Sequence, residues 1–170
     1  MNNVEVSLQE LRQIAKKLKE QNINFEYDIY GDGSDLGELY YLIDRYSLQE
    51  NVFPKGKIDN ELLKDRLLNY DFFVQLSISE SLGMSVVEAQ SLGIPCIVSS
   101  SGGLPEVVIN KKTGFVSEYN DYVNLVFEML KLKNDKEKYF QFSKEAIQFV
   151  NENYSSEIEI QKLLDLYSEF

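Results

Sequence analysis

Two short apolar runs, 71–77 and 95–99, bracket a segment of helical character that ends in Gly93-Ile94-Pro95. A strand, a helix and a second strand in that order join by a crossover, which makes the strands parallel and lays the helix on the sheet. The connecting segment reads Ser79-Glu80-Ser81-Leu82-Gly83-Met84-Ser85-Val86-Val87-Glu88-Ala89-Gln90-Ser91-Leu92. It places one carboxylate, Glu80, before the helix and another, Glu88, in its early turns. In α/β proteins this strand-to-helix turn is where phosphorylated ligands bind, because the first backbone N–H groups of a helix have no partner within it. Two carboxylates flanking such a turn can grip two different pairs of hydroxyl groups while the amides between them face a phosphate. That chemistry suits a nucleotide-sugar.

The same alternation runs through the rest of the chain. Ser7 with Glu10 reads as a capping box, and Leu8, Leu11, Ile14, Ala15 and Leu18 follow helical spacing. A strand at 25–30 runs into Gly31-Asp32-Gly33, a turn that calls for flexible backbone. A helix over about 36–48, a short strand around Val52-Phe53, Gly56, and a helix from Asp59 or Asn60 to about Asn69 come next. Beyond the strand at 95–99, Gly102-Gly103 breaks the chain and 114–117 forms a last strand. Helices over about 119–133, 135–151 and 156–168 complete it. The fold class expected is therefore α/β, a Rossmann-like doubly wound parallel sheet with helices on both faces. One domain over 1–170, with 119–170 as a helical extension, accounts for the length and can bury a sizeable core.

What the chain lacks narrows its chemistry. It has no histidine, which removes Ser-His-Asp and Cys-His catalysis and histidine-ligated metals. Its one cysteine, Cys96, sits in the apolar run Pro95-Cys96-Ile97-Val98 and reads as a small core residue. A net charge of −11 repels nucleic acid and anionic membrane, so neither is an expected partner. No apolar run approaches the length of a membrane span, and the N-terminus has no signal-peptide core, so the expected location is the cytoplasm.

An ordered set of motifs resembles a known family. It comprises Gly31-Asp32-Gly33 after a strand, Val52-Phe53-Pro54-Lys55-Gly56, Asp71-Phe72-Phe73-Val74, and the pair Glu80 and Glu88 with Ala89. Gly93-Ile94-Pro95, Gly102-Gly103-Leu104-Pro105-Glu106-Val107-Val108 and Thr113-Gly114-Phe115-Val116 follow. Single pieces occur widely, but the set in this order, over about residues 5 to 168, is similar to the C-terminal, donor-binding domain of retaining GT-B glycosyltransferases of group 1, family four. The resemblance implies that Glu88 bonds the ribose hydroxyls and that Glu80, the catalytic candidate, lies beside the donor sugar. It also implies that amides around Ser81, Leu82, Gly83 and Met84 meet the diphosphate. Gly56, Lys57 and Ile58 would run along the nucleobase, with Gly31 at the cleft rim. No metal and no cofactor beyond the nucleoside-diphosphate sugar is implied. Aromatic side chains of the last helices (Phe127, Tyr139, Phe142, Phe149, Tyr154, Tyr167) read as core and docking surface.

The chain also departs from the family. Relatives open this domain with a strand and a Gly-Arg … Lys-Gly loop whose basic residues neutralise the diphosphate, whereas this chain begins Met1-Asn2-Asn3-Val4-Glu5-Val6. The N-terminal, acceptor-binding domain is not in it either, and any membrane proximity would come through that half. With the central first strand missing, unpaired edges are expected at 25–30 and 71–76. Met1 to Val6, closure of the sheet or pairing with a second chain could cover them. Losing two charge-assisted partners costs about 3–6 kcal/mol, or two to four powers of ten in affinity. The isolated chain is therefore expected to transfer no sugar. Alternatives are a non-catalytic nucleotide-binding module and a sugar-nucleotide epimerase on the same scaffold; a dinucleotide oxidoreductase fits poorly, since the Gly31 turn lacks the third glycine.

Overall fold

The computed structural model describes residues 8–77, 80–118, 121–155, 158 and 160. The expected capping box at Ser7, the closing role of Met1 to Val6, Tyr167 and most of the helix expected over 156–168 lie outside them. The elements alternate: α1 (Leu8–Glu20), β1 (Tyr27–Tyr30), α2 (Leu36–Arg45), β2 (Val52–Gly56), α3 (Asn60–Leu67), β3 (Phe73–Gln75) and α4 (Met84–Ser91). They continue with β4 (Cys96–Ser99), a 3₁₀ turn (Leu104–Glu106), β5 (Gly114–Ser117), α5 (Tyr122–Asn134) and α6 (Lys136–Asn153).

Among the described residues every strand pairing is parallel, and the strands form two groups. β1 pairs with β2, and β3, β4 and β5 form a separate sheet with β4 at its centre. Among the described residues β1 pairs only with β2 and β3 only with β4, so both strands expected at open edges stand at the edge of a ladder, as do β2 and β5. Helix α1 spans the division: Ile14 and Leu18 join the core under the three-stranded sheet, while Ala15 joins the core of the two-stranded one. Phe25 packs against both. A polar link crosses as well. Tyr70 donates to Asp28 Oδ2 (2.5 Å), and because its single proton goes there, the Tyr30 hydroxyl, 2.8 Å away, donates to Tyr70. Lys55 lies 3.3 Å from the other oxygen of Asp28.

The period of two along each strand separates two helical layers. Cys96 and Val98 of β4 face a core built with Leu67 of α3, Val86, Val87 and Ala89 of α4, and Val150 of α6. Ile97, between them, faces the opposite core with Ile14, Leu125, Val126 and Phe142. Phe73 and Val74 of β3, and Val116 and Phe115 of β5, divide in the same way. This is the doubly wound arrangement expected from the order of elements.

Several boundaries differ from expectation. β1 starts at Tyr27 because the Asn51 amide, which would extend the ladder, donates to the Leu48 carbonyl (2.9 Å), and Asn51 Nδ2 takes the carbonyl of Phe25 (3.0 Å). β3 starts at Phe73 because Pro95, which would continue the ladder to the Asp71 carbonyl, has no N–H; the Tyr139 hydroxyl donates to that carbonyl instead (2.7 Å). Helix α2 stops at Arg45, where Ser47 turns to φ 52°. Of the aromatics read as core and docking surface, Phe142 is buried against Phe115, whereas Phe127 is 52% exposed and lies under the Lys131 ammonium (4.3 Å).

Candidate functional site

The chain leaves β3 at Gln75 and reaches α4 through the turn that holds Glu80. A second loop, the one after β4, supports that turn. The Gly103 amide donates to the Glu80 carbonyl (3.0 Å). Gly102, at φ 58°, and Gly103 lie so close beneath the turn that a β-carbon on either would overlap a carbonyl oxygen, that of Glu80 or of Ser81. Gly83 takes up the entry to α4 from the left-handed region (φ 78°, ψ 50°), and a β-carbon there would come 2.7 Å from Leu104 Cδ2. Glycine is the residue that occupies such a position without strain.

The helix entry is left open toward solvent. Gly83 has no side chain to cap it, and the amides of Val86 and Val87 both donate to the Gly83 carbonyl (2.9 and 3.2 Å). Those of Met84 and Ser85 remain outside the helical ladder. The first turn carries no acidic residue to offset the partial positive charge of the helix end. An anion brought to this entry meets backbone donors and a favourable dipole.

The carboxylate of Glu80 is half-buried and held at both oxygens. Gln75 Nε2 donates to Oε2 (2.8 Å) and the Ser81 amide to Oε1 (3.0 Å). On α4 the inner face consists of Val86, Val87, Ala89 and Gln90, all buried. Met84, Ser85 and Glu88 line the outer face, with Glu88 one turn beyond Met84 and half-buried. Gln90 is fully buried, and its Nε2 donates to the Val107 carbonyl (2.5 Å), tying α4 to the segment after the 3₁₀ turn.

The expected site residues fall into two groups. Glu80, Ser81, Leu82, Gly83 and Met84 form one continuous turn, with Leu82 and Met84 exposed and Glu88 on the outer stripe that follows. Gly31 and Gly56 meet at the carboxyl ends of β1 and β2, the Gly31 amide donating to the Gly56 carbonyl (2.9 Å). Gly31 has φ 144°, while Gly33, also read as a flexible position, needs no positive φ. Lys57 is exposed and Ile58 half-buried just beyond. Among the described residues no hydrogen bond or ion pair joins this second group to the Glu80 turn. Glu106 is exposed and contributes its carbonyl, which accepts from the Tyr154 hydroxyl (3.4 Å).

Sequence reasoning missed Gln75 and Gln90. The available signal is a polar side chain inside an apolar pattern: Gln75 follows Phe72-Phe73-Val74, and Gln90 shares a helix face with Val86 and Val87. The titrating groups perturbed by burial lie away from the turn. Burial pushes the Cys96 thiol and the Tyr27 phenol well up, and Tyr70 is raised by burial first and by its bond to Asp28 next. A thiol so disposed is a poor nucleophile. Among the described residues no group of three or more acidic or cysteine side chains is placed to hold a metal ion.

Residues 3–149 match the family described as glycosyl transferases group 1. The chain belongs to that family. Among curated relatives of this group 1 chain, it is similar to N-acetyl-alpha-D-glucosaminyl L-malate synthase of Bacillus anthracis, 30% identical over 129 residues, which are 76% of this chain and 33% of the relative. It is also similar to sulfoquinovosyl transferase SQD2 of Arabidopsis thaliana, 33% identical over 137 residues, 79% of this chain and 25% of the relative. The chain thus spans about a quarter to a third of the length of these relatives. The crystal structure of TarM matches with a TM-score of 0.84 at 25% identity, over 96% of this chain and 33% of that one. The C-terminal domain of a group 1 protein (LpcC) from Francisella tularensis matches with a TM-score of 0.76 at 18% identity, over 92% of this chain and 83% of that one. The fold of this group 1 chain is accordingly that of the C-terminal, Rossmann-like domain of GT-B glycosyltransferases.

Proposed function

We propose that the chain is the donor-binding part of a retaining glycosyltransferase that moves a sugar from a nucleoside-diphosphate sugar to a glycan or lipid-linked acceptor. The observation that carries this reading is the turn from Glu80 to Met84. It combines a carboxylate held at both oxygens, an uncapped helix entry with two amides outside the ladder, and a second carboxylate one turn along the outer face. Membership of the family supports the reaction class, and the names of both curated relatives are those of enzymes acting on sugars.

In this reading the amides of Leu82, Gly83 and Met84 take the diphosphate, the Ser81 amide expected among them being engaged by Glu80 Oε1 instead (3.0 Å), and Glu88 accepts from the ribose hydroxyls. Glu80 accepts from hydroxyls of the donor sugar. Gly56, Lys57 and Ile58 flank the nucleobase, and Gly31 shapes the rim. The acceptor hydroxyl attacks the anomeric carbon on the face the diphosphate leaves, so configuration is retained. The bond from that carbon to the phosphate oxygen breaks as the bond to the acceptor oxygen forms, and the departing phosphate takes the hydroxyl proton. Glu80 positions the sugar and forms no covalent bond. Charge developing on the leaving diphosphate is met by the helix entry, a preorganised dipole, and no metal is needed. The acceptor is held by a second domain. The cytoplasm is the proposed location, where a single buried cysteine stays reduced.

Nuclear magnetic resonance titration of the ¹⁵N-labelled chain with UDP, GDP and ADP and their sugar esters tests the reading. One of these should shift the amides of Leu82 to Ser85 at millimolar concentration. Glu88→Ala should weaken that binding about ten- to a hundredfold, the value of one charge-assisted contact. Binding that leaves those amides unmoved, or that Glu88→Ala leaves intact, would overturn it.

A further inference from the structure

We infer that Gln75 is a positioning residue for Glu80, presenting its carboxylate to the donor sugar; the inference rests on the nucleotide-sugar reading above. Gln75 is the last residue of β3, half-buried at the carboxyl end of an otherwise apolar strand. A primary amide in that position costs free energy unless its donors and acceptor are satisfied. The partner it has is Glu80 Oε2, at 2.8 Å. A carboxylate only accepts, which fixes the amide with its NH₂ toward Glu80.

Three contacts then converge on one residue. The Gly103 amide fixes the carbonyl of Glu80, the Ser81 amide fixes Oε1, and Gln75 fixes Oε2. The donors of the first two are main-chain amides, supplied by the turn and the loop beneath it. Gln75 is the side chain in this set, and it sets the rotation of the carboxyl plane. Each carboxylate oxygen keeps a lone pair beyond the one already engaged, so a carboxylate held in this way still accepts from two hydroxyls, at directions that Gln75 chooses. Holding an acceptor in its bound orientation before the ligand arrives lowers the ordering cost of binding. A role confined to Glu80 affects the sugar and leaves the nucleoside diphosphate alone.

The test is the pair of dissociation constants for a nucleoside diphosphate and its sugar ester, measured by resonance titration of the ¹⁵N-labelled chain with UDP and UDP-glucose, GDP and GDP-mannose, and ADP and ADP-glucose. In Gln75→Leu the affinity for the sugar ester should fall about tenfold, with that for the diphosphate unchanged. The Ser81 amide resonance should move, since its acceptor is no longer held. Gln75→Glu, which keeps the size and sets a carboxylate against a carboxylate, should lose at least as much, and it stands in if the leucine variant does not fold. If the parent chain binds a pair and both variants bind it as the parent does, the positioning role is overturned while the donor-binding reading stands. Equal losses for ester and diphosphate, together with a lowered melting temperature, mean a structural role and also overturn it. If the parent binds none of the six, the donor-binding reading fails and the positioning role falls with it.

Discussion

The carbonyl oxygen of Glu80 occupies the space that a side chain on Gly102 would need. The two residues belong to loops that follow different strands, β3 and β4, and the contact is sealed by the Gly103 amide on the same carbonyl (3.0 Å). The position of the Glu80 carboxylate thus depends on a loop more than twenty residues further along the chain.

Gly102→Ala should be destabilising by about 1–3 kcal/mol, because it adds a β-carbon at φ 58° and pushes against main chain that cannot rotate away. Gly37→Ala is the control. Nothing lies within 4 Å of the added carbon there, and the position is helical, so stability should rise by about 0.5–1 kcal/mol. Urea unfolding of both variants measures the difference.

Gln90→Ala should be among the more damaging single changes in α4. It leaves the Val107 carbonyl without its donor and opens a cavity at a fully buried position. The combined cost is about 2–4 kcal/mol, read as a drop in the urea midpoint. Val107 and Leu104 lie in one core cluster with the helix, so the nucleotide-induced shifts at Leu82 to Ser85 should weaken as well.

Alkaline pH should unfold the protein earlier than an average tyrosine content implies. Burial, then the charge of Asp71, holds the Tyr139 phenol up to about 12. Tyr70 and Tyr27 are raised further. The folded state thus keeps protons that the unfolded chain gives up near the ordinary value of 10.0. The stability is fully present below that pH and is lost as pH climbs through about 12 for Tyr139. Tyr139→Phe should flatten this part of the profile, measured by circular dichroism between neutral pH and pH of about 12.

Chelation should not change nucleotide binding. The proposed diphosphate site consists of backbone amides and a helix dipole, so titrations with and without EDTA should give the same constant. A dissociation constant raised tenfold by EDTA would assign the phosphate charge to a metal ion.

The alternation of strands and helices is readable in the sequence because it depends on residues near each other along the chain. The βαβ unit around Glu80 and Glu88 shows its apolar runs, its Gly93-Ile94-Pro95 stop and its motif at once. The ends of β1 and β3 are not readable in that way. Asn51 and Tyr139, 26 and 68 residues away, take the carbonyls that the ladders leave without a backbone donor. Phe127 shows the same limit: helical spacing marks it as apolar, but the neighbour that makes an exposed position tolerable, Lys131, is recognised only in its place over the ring.

Membership of the family, the α/β order and the placement of two carboxylates around one helix entry follow from the sequence by itself, since periodicity and turn residues act over a few positions. The division of the strands into two ladders, the support of Glu80 by Gly102 and Gly103, and the hold of Gln75 and Gln90 on their partners are decided by tertiary structure. Those features are distances between atoms of separate segments, and such distances exist only once the chain has closed on itself.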